Sequence, residues 1–343
     1  MRARAHWAGV AALAILAGGC EEVGPSSALE IESTGDVLGR LFLDLNGNAV
    51  EDAADQTVPG WLVRLVGRNG GVLASARTDS LGFFDFREVP VGEVRVDVER
   101  AQLGDSLELF GLVVENPIIL LAGDAVTLNV GLSYPTVTLG AVDTLPLGRR
   151  VFVDGIALNA VVTNGPRELH LRSGTDALRV TSIVRTPVGV GDSVRVLGRR
   201  GSEAGWPILT GGAILRLPPP VDDPLPLSVT TGAAATAQGG ALGADLVRVR
   251  SADLLEARNE GDDVVLTVDD GTGPVEIVLR SFLGSDASFF DPDRKRIRET
   301  TGLLVPWDDG GGLRWRLVIR SADDLRVEDV PAPTGAGRAS GGQ

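Results

Sequence analysis

Between two apolar runs, GRLFL and WLVRLV, acids and amides fall at near-alternating positions in LDLNGNAVEDAADQTVPG, residues 43–60. Counted from Asp44, positions 1, 3, 5, 9 and 12 are Asp44, Asn46, Asn48, Asp52 and Asp55, and Val50 falls at position 7, where a backbone carbonyl points inward. Hard oxygen donors at that spacing can wrap one cation. Three carboxylates and two amides suit Ca²⁺ better than Mg²⁺, which keeps its waters. Ala49 stands where such a loop wants a positive φ, at about 1 kcal/mol more than glycine. Asp55 reaches less far than Glu, so the expected affinity is weak, about 10⁻⁴ to 10⁻³ M. The same residues also suit an Asx-rich turn that holds no metal, and the spacing leaves both open.

Other reactive groups are sparse. Beyond the first nineteen residues there is one histidine, His170, one lysine, Lys295, one tyrosine, Tyr134, and one cysteine, Cys20. Zinc needs several Cys or His ligands, and a Ser-His-Asp or Cys-His site would have to use His170, which sits at alternating spacing in LHLRS as a barrel-wall residue. No phosphate-binding or dinucleotide fingerprint occurs. The paired acids Asp262-Asp263, Asp269-Asp270, Asp308-Asp309 and Asp323-Asp324 fall in turns. The expectation is a chain that is not an enzyme.

The segments that must position these residues read almost throughout as strands: VGEVRVDVER, VRVLGR, VVLTV and VEIVL alternate apolar and polar between clusters of Gly, Asn, Asp and Pro. No long helical period appears. An all-β protein of three domains follows. A sandwich is expected over residues 36–133, and small barrels over 136–217 and 228–328. The proline-rich connector LPPPVDDPLP lies between the barrels (boundaries 218–227), with a disordered tail at 329–343. The two barrel segments repeat four blocks in one order: RRVFVDGIAL with DLVRVRSADLL, LHLRSGTDALRVTS with LTVDDGTGPVEIVL, VGDSVRVLGRR with RKRIRETTGLLV, and GWPILTGGAILRL with LRWRLVIRSADDLRV. This is an internal duplication.

The first twenty residues, MRARAHWAGVAALAILAGGC, have arginines ahead of an apolar run too short to span a bilayer, the plan of a secretory signal. The run ends in LAGGC and resembles a bacterial lipobox, which implies cleavage after residue 19, lipidation of Cys20, and a tether over residues 20–35. Cleavage removes two of 32 basic residues and no acid, leaving 30 against 46, a net charge of −16. Such a balance argues against the whole molecule gripping a polyphosphate. Charge is uneven, however: the sandwich segment has 7 basic and 15 acidic residues, the first barrel 10 and 6, and the second 12 and 18. Arg149, Arg150, Arg195, Arg199 and Arg200 are the candidate ligand-binding residues of the basic first barrel. Its two aromatics other than histidine, Phe152 and Trp206, are few for a stacking groove, which weighs against nucleic acid as a partner.

GRLFLDLNGNAVEDAADQTVPGWLVRLV followed by TDSLGFFDFREVPVGEVRVDV resembles the B-type domain of serine-aspartate repeat surface proteins. That resemblance implies a prealbumin-like sandwich with calcium at the Asp44 loop. A TD-x-x-G-x-F segment is shared with carboxypeptidase regulatory-like sandwiches, which need no calcium. The barrel segments resemble the OB-fold, with a hairpin around Gly-Thr and a GD-x-V-x-V-x-G strand, as in secreted bacterial OB-type domains. Two functions are therefore expected as alternatives. One is a non-catalytic, lipid-anchored protein of the outer membrane or cell surface, with a calcium-stabilised sandwich, meeting a surface protein or glycan in adhesion, display or envelope organisation. The other is a ligand-binding lipoprotein whose barrels hold single-stranded nucleic acid, oligosaccharide or a protein.

Overall fold

The computed structural model describes residues 33–104, 106–110, 117–161, 167–183, 186–218, 224–308 and 310–330. Cys20, the signal segment, most of the tether, connector residues 219–223 and the tail from 331 lie outside the described residues. The architecture is all-β: a sandwich followed by two OB-like barrels.

The sandwich opens with β1 (Thr34–Leu43), then β2 (Gln56–Thr57), β3 (Leu62–Gly67), β4 (Val72–Arg77), β5 (Phe83–Pro90) and β6 (Gly92–Val98). After a short helix α1 (Arg100–Leu103) come β7 (Glu108–Phe110), β8 (Ile118–Leu120) and β9 (Ala125–Ser133). One sheet runs β2-β1-β9-β7 with β5 also on β1, and the other runs β4-β3-β6-β8. Alternation in β1 turns Val37 and Leu41 into the space between the sheets, against Phe84, Phe86, Val63, Leu65 and Leu128. Gly39 is needed where it stands, because a Cβ there would lie 2.1 Å from the Phe84 ring.

The first barrel consists of β10 (Thr136–Val137), β11 (Arg150–Ala157), β12 (Glu168–Ser173), β13 (Asp176–Ile183), β14 (Ser193–Glu203), β15 (Trp206–Gly212) and β16 (Ile214–Leu217). The second repeats it: β17 (Leu227–Ser228), a helix α2 (Thr231–Ala235), β18 (Leu246–Glu260), β19 (Asp263–Asp269), β20 (Val275–Leu279), β21 (Lys295–Asp308), β22 (Leu313–Val318) and β23 (Leu325–Asp329). In the first, β11-β12-β13-β15-β14 closes because β14 returns to β11, with β13 parallel to β15. In the second, β18-β19-β20-β22-β21 closes through β21 to β18, with β20 parallel to β22. This is the five-stranded closure of an OB barrel. The repeated sequence blocks supply equivalent strands, and even a glycine recurs: Gly198 faces Val151 across the ladder as Gly302 faces Val247. A Cβ at either would come within 2.9 Å of the neighbouring strand. Inward residues such as Val151, Leu169, Val180 and Leu209 fill one barrel, and Val247, Leu266, Ile277 and Leu317 the other.

The expected bounds leave two joints, one between residues 133 and 136 and one at the proline-rich connector. Both are bridged by tertiary contact. At the first joint the Arg150 guanidinium lies 5.5 Å from the Tyr134 ring and donates to its hydroxyl at 2.9 Å. At the second, the barrels pack directly on one another, as described next.

Candidate ligand-binding faces of the barrels

The Asp44 loop forms, and it is built from side-chain oxygens bonded to backbone. Asp44, 1% exposed, accepts from the N–H groups of Asn46 (3.0 Å) and Gly47 (2.6 Å) on Oδ1 and from that of Ala49 (2.9 Å) on Oδ2. Asn46 and Asn48 accept from the N–H two residues on, and both donate side-chain amides to Asp52 Oδ2. Asp55 takes the N–H of Leu45 and of Asp52. Ala49 adopts φ 61°, the left-handed conformation its position demands. Burial, with the nearby Asp44 and Asp52 charges acting in the same direction, raises the Asp55 pKa. The Ala54 N–H and the two asparagine amides lower that of Asp52.

The expected calcium ligands thus share one loop, with Val50 giving its N–H to Asn48 and its side chain exposed. Yet no group of three or more His, Cys, Asp or Glu placed to hold a metal occurs among the described residues. The amide NH₂ groups of Asn46 and Asn48, turned toward Asp52, put donors where a cation needs oxygen. As arranged, the loop is closed by its own hydrogen bonds. Asp44→Ala strands three backbone donors and is expected to lower stability by about 2–4 kcal/mol, read by urea unfolding. The same series run with and without Ca²⁺ checks the cation directly: a self-bonded loop predicts an unchanged midpoint, a calcium site a midpoint that rises with Ca²⁺ only when Asp44 is present.

The loop also meets the first barrel. The Gly47 carbonyl accepts from Arg195 at 3.2 Å, and Phe152 lies beneath it, close enough that a Cβ on Gly47 would approach its ring at 3.1 Å. Phe152 is buried, but between the domains rather than inside the barrel, since its neighbours Val151 and Val153 point inward. The five candidate arginines therefore do not make a shared ligand face. Arg149 donates to Ser106, Arg150 to Tyr134, and Arg195 to Gly47 and Asp154; Arg200 pairs with Asp143, and Arg199 is exposed. Three of them fasten the barrel to the sandwich.

OB barrels use the face of their second and third strands for ligands. In the first barrel this face carries Glu168, His170 and Arg172 on β12 and Arg179 on β13, with Trp206 on β15. It is covered by the second barrel. His170, 0% exposed, donates from Nδ1 to the Ala244 carbonyl at 2.8 Å, while its Nε2 has no partner among the described residues. Arg172 Nε meets Asp245 at 2.7 Å and its terminal nitrogens meet the Leu225 and Leu246 carbonyls. Trp206 stands edge-on to Trp315 with centroids 4.9 Å apart, Arg320 donates to the Leu158 carbonyl, and Leu158, Leu246 and Leu303 form an apolar seal. Burial pushes the His170 pKa down to about 4, against the pull of Glu168.

On the second barrel, a cleft of about 380 Å³ remains open on the corresponding strands, bounded by Thr267 on β19, Glu276 on β20, Trp307 on β21 and Leu313 and Arg314 on β22. The Arg316 guanidinium stacks 3.5 Å from the Trp307 centroid. Two carboxylates hold it there, Glu276 at 2.6 Å and Glu260 at 2.7 Å, and the Arg316 hydrogen bond lowers the Glu260 pKa. Composition showed the aromatics of this segment but not which of them meet arginine: Trp315 is core, Phe289 is exposed elsewhere, and Arg294, Lys295 and Arg296 pair with Asp291, Asp329 and Asp253.

No family model matches the chain, and no curated protein matches it in sequence. Solved structures do. A murine DNA-binding protein bound with double-stranded DNA is 12% identical, covering 53% of this chain and 99% of that one, with a TM-score of 0.29. The Ifi202 HINa domain in complex with double-stranded DNA is 8% identical over 52% of this chain and 95% of that one, at 0.25. A replication protein A heterotrimer bound to single-stranded DNA is 10% identical over 82% of this chain and 96% of that one, at 0.22. These likenesses concern barrel architecture and place no ligand on this chain. The expectation against nucleic acid is corrected on this chain's own geometry: net charge and a count of aromatics do not decide the question, because folding brings Trp307 and Arg316 into one stack that composition does not reveal.

Proposed function

We propose that the chain is a non-catalytic binding protein whose paired barrels hold single-stranded nucleic acid, with the Trp307 cleft as the contact surface. The observation that carries this reading is the Trp307–Arg316 stack, braced by Glu260 and Glu276, at the strand face by which OB barrels take extended polymers. An indole held flat by a guanidinium offers a stacking platform to any base, and the exposed Arg314 beside it supplies charge for a phosphate. The sandwich serves as the mount, and the expected lipid on Cys20 places the assembly at a membrane surface. That anchor belongs to the proposal.

Fluorescence anisotropy of a labelled oligothymidylate with the full chain tests it. Trp307→Ala is expected to weaken binding by about 1–3 kcal/mol, roughly 5- to 150-fold in Kd. Arg314→Glu is expected to weaken it and to flatten its dependence on salt. Absence of binding at low ionic strength, or retention of an oligosaccharide on the same cleft with no oligonucleotide bound, overturns the reading.

A further inference from the structure

The covered face of the first barrel has the chemistry of a ligand site, and the groups that cover it resemble a ligand. Its strands present a guanidinium, an imidazole and an indole in Arg172, His170 and Trp206, beside an Arg179 whose charge is already met by Glu168 and Glu203. Against them the second barrel sets a carboxylate on the guanidinium (Asp245, 2.7 Å), carbonyl oxygens on the imidazole and guanidinium (Ala244, 2.8 Å; Leu246, 3.1 Å), and an aromatic ring on the indole (Trp315). An anionic oxygen, carbonyl acceptors and a flat ring are what a single strand offers through its phosphate and bases. We infer that the first barrel's β12–β13–β15 face is a second single-stranded nucleic-acid site, held shut in cis by the second barrel.

This inference rests on the reading above for its ligand class. Leu158, Leu246 and Leu303 form a cluster of their own at the joint, while beside it Trp206 packs on the second barrel's core at Trp315. A site competent only when the barrels part binds with its intrinsic affinity reduced by the fraction open, so loosening the seal must raise apparent affinity.

Substitutions on the second barrel leave the covered face intact. Leu303→Arg charges the seal, and Asp245→Arg opposes Arg172. His170 is the sole histidine after residue 19, so its modification by diethylpyrocarbonate, followed by mass spectrometry, reports whether the face is uncovered. Each variant is expected to speed that modification and to tighten oligothymidylate binding, both about tenfold, with the gain in binding lost on adding Arg172→Gln, which removes the charge without rebuilding an ion pair across the joint. A reactive His170 with unchanged affinity overturns the site, and an unreactive His170 in both variants overturns the cis closure. If Trp307→Ala weakens binding but opening adds nothing, the cleft stands and this inference falls. If opening creates Arg172-dependent binding that Trp307→Ala leaves untouched, this inference stands and the cleft falls.

Discussion

Asp245→Ala is expected to destabilise the folded chain by about 3–5 kcal/mol, the usual result of removing one member of a buried ion pair. Asp245 is 2% exposed, and burial raises its pKa although Arg172 pulls the other way. The carboxylate does two things at once: it accepts from Arg172 Nε and from the N–H of Leu246. Without it the guanidinium, whose side chain is 15% exposed, keeps two carbonyls but loses its countercharge at a largely desolvated joint. Equilibrium urea unfolding reads the loss. Replacing both partners, Arg172→Leu with Asp245→Leu, is expected to recover most of it, because two apolar chains of similar volume leave no stranded charge. A cost below about 1 kcal/mol for Asp245→Ala, in the range of exposed pairs, means that the joint admits solvent.

Acid is expected to act on the same joint through His170. Its folded pKa is depressed to about 4, below the ordinary value near 6.5. Above about pH 6.5 the imidazole is neutral in both states and contributes no pH dependence. Between about pH 6.5 and pH 4 the unfolded chain binds a proton that the folded one refuses, so stability falls as pH falls, by about 3 kcal/mol in total. The charged groups facing the ring are Glu168 on its own strand, Arg179 on β13 and Arg280 beyond β20. Burial raises the Glu168 pKa, but the charges of His170 and Arg179 and the Arg179 hydrogen bond outweigh it and leave the carboxyl below its ordinary value; its attraction for the imidazolium softens the loss without cancelling it. His170→Gln removes the titrating group, so the difference between its stability-versus-pH curve and that of the parent isolates the histidine. Parallel curves between pH 7 and pH 4 refute the assignment.

Much of this protein is legible locally. Period-two alternation and turn residues sufficed for the strands, and the duplicated blocks for two barrels with equivalent strands, because strand identity depends on neighbours two residues apart. The Asp44 loop was legible for the same reason: its spacing selected every residue that closes it, down to the positive φ at Ala49. The direction in which the Asn46 and Asn48 amides turn was not, because it depends on the whole ring of donors.

The faces were decided elsewhere. Alternation in LHLRS says that His170 and Arg172 point out of their barrel. It cannot say whether water or another barrel lies outside. The partners that answer the question, Ala244 and Asp245, stand 74 and 73 residues away, and the Arg195–Gly47 contact that joins barrel to sandwich spans 148. Four of the five arginines that looked like one basic surface were distributed by that packing to separate carboxylates, hydroxyls and carbonyls, with Arg199 left exposed, while Trp307 and Arg316 were drawn together by strand register. The sequence by itself determined the strands, the duplication and the loop, all short-range consequences of side-chain period. Only the tertiary structure decided which outward faces are surface and which are joint, because desolvation of a polar side chain depends on what packs against it from far along the chain.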